Sequence, residues 1–190
     1  MQKRLLLIDN QDSFTYNLVD LIRRLEVPFE VISVENLPQF DLDKFSHLII
    51  SPGPDVPSAY PQTFAMLKKY HTQKSILGVC LGHQTLCEFF GGSLYNLKEV
   101  RHGQAKRLKV RSNSSLFCYL PKEFNVGLYH SWAVNPSDFP AELTISATCS
   151  DEIIMAFEHK TLPIFGVQFH PESYISEYGL EILQNFLKIL

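Results

Sequence analysis

The chain has 190 residues, 45% of them hydrophobic and 19% charged, a balance suited to a globular protein with a sizeable core. That length fits one ordinary α/β domain spanning residues 1–190. The formal net charge of −3 argues against a basic surface built to hold DNA or RNA, so no nucleic-acid partner is expected.

The first apolar run, Leu5–Ile8, stops at Asp9-Asn10-Gln11-Asp12 and is too short for an export signal. No stretch approaches the roughly 18 apolar residues that span a membrane. A cytoplasmic, membrane-free protein is expected. Cys80, Cys87, Cys118 and Cys149 form no C-x-x-C pair, so reduced thiols are the default. Cys87, Cys118 and Cys149 read as small apolar fillers.

Arg4–Ile8 reads as a strand buried on both faces. Phe14, Leu18, Leu21, Ile22 and Leu25 then recur at helical spacing, with Asp12 or Ser13 placed to cap the helix. Phe29–Val34, His47–Ile50 and Ser75–Val79 are the next strands. Their alternation with helices predicts a parallel sheet flanked by helices. Between them, 51–61 holds four prolines in eleven residues, a stiff loop at the carboxyl end of a strand. Ligands gather at that end of open α/β sheets.

Short β-type segments follow near 93–95, 106–111, 126–130, 143–148, 153–158 and 163–169, without helices between them. They predict antiparallel additions to the sheet. Leu180, Leu183, Leu187 and Leu190 trace a closing helix over Glu177–Leu190, with Ser176 as its cap. The expected fold is a single-domain, open, mixed and mainly parallel α/β sheet.

Cys80 sits where a strand runs straight into a helix carrying Leu86, Phe89 and Phe90, in Gly78-Val79-Cys80-Leu81-Gly82. Glycines on both sides relieve a sharp turn, as in the elbow that exposes a nucleophile in α/β hydrolases. A helix N-terminus and a nearby imidazolium both favour thiolate, the reactive form. The Leu81 amide is placed to hold an oxyanion. On spacing alone a structural cysteine between close-packed glycines is the competing reading.

In Val167-Gln168-Phe169-His170-Pro171-Glu172, proline disfavours helical geometry at His170, and an extended chain sets His170 and Glu172 on one side. His170 then serves as base and Glu172 orients it, in triad logic. His47, His71 and His159 read as structural, and His83 packs or hydrogen-bonds. Neither H-E-x-x-H nor close Cys/His spacing occurs, so no metal site is expected.

Ser51-Pro52-Gly53-Pro54, Gly78–Gln84 and Gly166–Ser173 resemble, in order and at family spacing, the three signatures of class I (triad-type) glutamine amidotransferases. Asp9–Leu18, Arg101-His102-Gly103, Tyr129-His130-Ser131 and 159–163 are similar to the glutaminase subunit (component II) of anthranilate synthase or aminodeoxychorismate synthase. The resemblance implies that Cys80 attacks a glutamine amide and that Gly53 and Leu81 supply oxyanion amides. It also implies that Gln84, Ser131 and Trp132 hold glutamine. Ammonia would pass to a chorismate-binding synthase subunit (component I), faced by Asn10, Asp12, Ser13, Tyr16, His102 and Gly103. No cofactor is implied for this chain; magnesium is expected on the partner.

Two positions depart from the family pattern. Asp55 replaces a further glycine after Ser-Pro-Gly-Pro, and Gln104 replaces a lysine after His-Gly. Aspartate tolerates φ > 0 better than most residues, so the loop can survive. Two rival readings are a stand-alone cysteine hydrolase of another amide and a silent regulatory subunit; the intact Cys80, His170 and Glu172 argue against the second.

Overall fold

Leu5–Leu7 are fully buried because helices cover both faces of the strand they form, β1 (Leu5–Asp9). The computed structural model describes residues 3–111 and 114–189. β1 is followed by α1 (Thr15–Arg23), β2 (Phe29–Ser33), β3 (His47–Ile50), α2 (Pro61–Tyr70), β4 (Ser75–Val79) and α3 (Leu81–Phe89). Then come β5 (Leu94–Asn96), β6 (Gln104–Val110), β7 (Glu123–Leu128), β8 (Trp132–Val134), β9 (Leu143–Cys149), β10 (Ile154–His159), β11 (Ile164–Val167) and α4 (Gly179–Lys188).

Among the described residues nine strands form one sheet in the order β2-β1-β3-β4-β11-β10-β9-β6-β7. The pairs from β2 to β11 are parallel, and those from β11 to β7 antiparallel. This is the expected single-domain α/β architecture. Strand alternation divides the core between the two faces: Leu5, Leu7, Ile49, Leu77 and Val79 pack on one, and Leu6, Ile8, Leu48, Ile50 and Ile76 on the other. Each such side chain contributes roughly 1.5–3 kcal/mol through burial. Leu18, Val19 and Ile22 of α1 join the first face, with Ile182, Leu183 and Phe186 of α4.

Several expectations change. β5 and β8 leave the main sheet and form a separate two-stranded ribbon. The helix-opening residue of α1 is Phe14; Asp12 stands two residues back, its Oδ1 accepting from Phe14 N at 2.7 Å. Ser176 does not cap α4, which begins after Tyr178, a residue in the left-handed conformation (φ 60°). The buried centre of α4 is Ile182, Leu183 and Phe186, while Leu180 and Leu187 are half-buried and Leu190 lies outside the described residues. Cys118 is exposed rather than a core filler, since it lies in a surface turn. Cys87 and Cys149 are buried, and burial pushes the Cys87 thiol up to about 12. Among the described residues no helix is long and apolar enough to cross a membrane.

Candidate active site

The turn from β4 into α3 is as sharp as its sequence suggests, but the strain lies elsewhere. Cys80 itself takes the unusual backbone, φ 52° and ψ −100°, where a non-glycine residue stores about 1–3 kcal/mol. Gly78 and Gly82 serve close approach instead. A Cβ on Gly78 would strike the backbone of Gly82, and one on Gly82 would strike the Ile50 carbonyl. The Cys80 amide donates to Val167 O at 2.8 Å, which ties the elbow to the end of β11. The first amides of α3, beginning with Leu81, have no acceptor inside their own helix and present partial positive charge beside the sulfur.

The proline-rich loop lies against this helix start. A Cβ on Gly53 would come within 2.5 Å of Leu81 Cδ2 and 2.7 Å of Asn10 Cβ. Asn10 therefore occupies a different place from the one expected. It is 1% exposed, donating from its backbone N to Ser51 Oγ and from Nδ2 to Ser51 O, both at 2.9 Å. Its side chain props the Gly53 loop and does not face outward. Asp55 adopts φ 65°, the left-handed conformation that aspartate tolerates.

The segment after β11 does not stay extended. Ser173 N donates to His170 O at 3.1 Å, closing a turn with Pro171 at its second position, where the fixed φ of proline suits it. His170 and Glu172 meet across this turn, Nδ1 to Oε1, at 2.7 Å. Ser176 holds the turn from behind: its Oγ donates to His170 O at 2.5 Å and accepts from Gly127 N at 2.9 Å. Both side chains of the pair are buried, 2% and 0% exposed. Burial disfavours a charged His170 ring, but the neighbouring Cys80 sulfur and the Glu172 carboxylate outweigh it and raise its pKa well above the ordinary value. His170 Nε2 is buried and has no hydrogen-bond partner of ordinary geometry among the described residues, with the Cys80 sulfur as its neighbour.

Gln84, Trp132 and Ser131 line up nearby. Gln84 Nε2 donates to Trp132 O at 3.0 Å and to Gln168 Oε1 at 3.1 Å. Ser131 is half-buried, and its carbonyl accepts from Leu97 N at 2.7 Å. His130 Nδ1 also donates to Trp132 O, at 2.8 Å. Burial lowers the His130 pKa to about 4 against the effect of that bond, with the His170 and Arg101 charges adding to the fall.

Phe14 and Tyr129 pack on the His170 ring with centroids 5.1 and 5.0 Å away, and lie 4.6 Å from one another. The exposed His102 ring sits 5.6 Å from Tyr129. Exposed Ser13 and Tyr16, half-buried Asp12, and exposed His102 and Gly103 therefore belong to two segments joined by Phe14 and Tyr129 beside His170. Gln104 opens β6 and accepts weakly from Arg101 Nη1 at 3.5 Å. No group of three or more His, Cys, Asp or Glu side chains among the described residues is arranged to hold a metal.

Sequence reasoning passes over three residues that touch the triad. Gln168 carries a readable signal: it lies two residues before His170, and an extended chain would direct both to one side, although the chain bends from Gln168 onward. Phe14 and Tyr129 come from distant segments, and only the fold brings them together.

A buried thiol on a strained strand-to-helix turn, close enough to a buried histidine–carboxylate pair to raise the pKa of its ring, is the arrangement that cysteine-nucleophile hydrolysis by an α/β enzyme requires. A model of the family described as glutamine amidotransferase class-I matches residues 6–190, and the chain belongs to that family. A Haemophilus influenzae protein provisionally named anthranilate synthase component II is 64% identical over 186 residues, covering 98% of this chain and 96% of its own. The Escherichia coli aminodeoxychorismate synthase component 2 is 37% identical, covering 96% and 98%. Among solved structures, a Thermoplasma acidophilum protein provisionally described as one subunit of GMP synthase superposes with a TM-score of 0.86 at 26% identity, covering 99% of this chain and 94% of its own.

Proposed function

We propose that this chain is the glutaminase subunit of a chorismate-using synthase, making ammonia for anthranilate or 4-amino-4-deoxychorismate. The observation that carries it is the Cys80–His170–Glu172 constellation, with His170 Nδ1 held by Glu172 and the Cys80 sulfur as the neighbour of Nε2. The names of the relatives direct the ammonia: components II of both synthases match across the chain.

The thiolate of Cys80 attacks the side-chain amide carbon of glutamine. Negative charge moves to the amide oxygen, held by the Leu81 and Gly53 amides. His170, positively charged and steadied by Glu172, gives its proton from Nε2 to the departing nitrogen, and ammonia leaves behind a glutamyl thioester. The now neutral His170 takes a proton from water, whose oxygen attacks the thioester carbon. Glutamate leaves and the thiolate returns. Gln84, Ser131 and Trp132 hold the glutamine. Ammonia reaches a chorismate-binding partner seated over Ser13, Tyr16, His102 and Gly103, and the partner carries the magnesium.

Substitution Cys80→Ala should abolish glutamine-dependent product formation by the complex while ammonium salts still support it. Retained glutamine-dependent synthesis would remove Cys80 from the mechanism. Chromatographic identification of the product with each synthase subunit settles the branch.

A further inference from the structure

We propose that Gln168 is a further catalytic residue, whose side-chain amide donates to the Cys80 sulfur and holds it as thiolate alongside His170. Gln168 is fully buried, and its Nε2 lies 3.6 Å from Cys80 Sγ, within reach of a large sulfur acceptor. The proposal rests on the reading of Cys80 as nucleophile and deepens it.

The direction of the amide follows from a short chain of hydrogen bonds. Trp132 O can only accept, so the group that Gln84 turns toward it at 3.0 Å must be the NH2. That same nitrogen reaches the Gln168 side chain at 3.1 Å, which must answer with its oxygen. The Gln168 NH2 is then left for the sulfur. Reversing the amide would set two NH2 groups against each other and aim a carbonyl oxygen at an anion, a double penalty in a buried site. The backbone is anchored too: Gln168 N donates to Met155 O at 2.8 Å as the chain leaves β11.

A donor fixed in this way favours thiolate over thiol. It neither gains nor loses a proton during the reaction. It stabilises the sulfur charge before attack and releases it as that charge passes to the amide oxygen. A filler residue of the same size would pack equally well and leave the sulfur's titration unchanged.

The test is the pH dependence of Cys80 alkylation by iodoacetamide in the full chain, read by peptide mass spectrometry so that exposed Cys118 is counted separately. In Gln168→Met the acid limb of the Cys80 profile should move upward by about one pH unit, the effect of losing one hydrogen bond to a charged group. A profile that superimposes on the wild type, with the thermal transition intact, would overturn the proposal. Should Gln168→Met fail to fold, Gln84→Met removes the amide that orients Gln168 and should move the limb in the same direction by less; no movement there would overturn it as well. Alkylation needs neither glutamine nor a partner. A wild-type chain that releases no ammonia from glutamine with any synthase subunit would therefore refute the functional reading and leave this one standing.

Discussion

His83 offers a test of the buried polar residues of α3. It is 0% exposed, its ring lies 4.5 Å from that of Phe157, and neither ring nitrogen has a partner among the described residues. Burial, with the His130 charge adding to it, lowers its pKa from 6.5 to about 3, against an opposing interaction with Gln168. The folded chain therefore keeps His83 neutral while the unfolded chain takes a proton below pH 6.5. Stability is fully present above that value and falls with pH down to the folded pKa, by about 1.4 kcal/mol per unit. From about pH 7 to about pH 5 the loss from this one ring is roughly 2 kcal/mol. In His83→Leu the loss should vanish. Urea unfolding of both proteins at the two pH values measures it, with the wild type losing roughly 2 kcal/mol more than the variant. Equal losses would show that His83 is not held neutral by its surroundings. The raised pKa of His170 acts above this window, since stability from such a group is lost only as pH rises through the folded value.

Other outcomes follow from the same geometry. Replacing Glu172 by Gln removes the charge opposite His170 Nδ1, and glutaminase kcat should fall by about 10- to 100-fold, as expected for losing a charged hydrogen bond of ~1.5–3 kcal/mol; an unchanged kcat would remove Glu172 from its orienting role. Asn10→Leu cuts the side-chain bond to Ser51 O and should lower kcat/KM about tenfold through the loosened Gly53 loop. Normal kinetics in that variant would show that the loop stands without Asn10. Gly78→Ala puts a methyl into the Gly82 backbone and should cost about 4 kcal/mol or more, read from chemical denaturation.

Strands β1, β3 and β4 and the sharp turn at Cys80 are legible in the sequence because their signals are local: apolar runs buried on both faces, bounded by polar or proline-rich loops. The strand β8 is not, since three residues carry too little alternation to register. Its pairing with β5, away from the main sheet, depends on chain segments far apart in sequence. The His170–Glu172 contact is legible for an incomplete reason. Proline before Glu172 favours an extended chain at His170, but its fixed φ also suits a turn, and the Ser176 bonds to His170 O and Gly127 N select the turn. Asn10 escapes a sequence reading because a polar residue in a family-like loop suggests exposure, whereas Ser51 at the neighbouring strand end accepts from its backbone N and its Nδ2 in the interior. Ser176 likewise resembles a helix cap by position, and long-range partners claim its hydroxyl.

The glutamyl thioester on Cys80 is the most direct test of the central claim. The chain, mixed with its synthase partner and isotope-labelled glutamine, is quenched in acid within a single turnover and the Cys80 peptide is weighed. A glutamyl adduct on that peptide, absent in Cys80→Ala, is the predicted result. Ammonia released at the full rate with no adduct on Cys80 at any time, or an adduct on another residue, would contradict it.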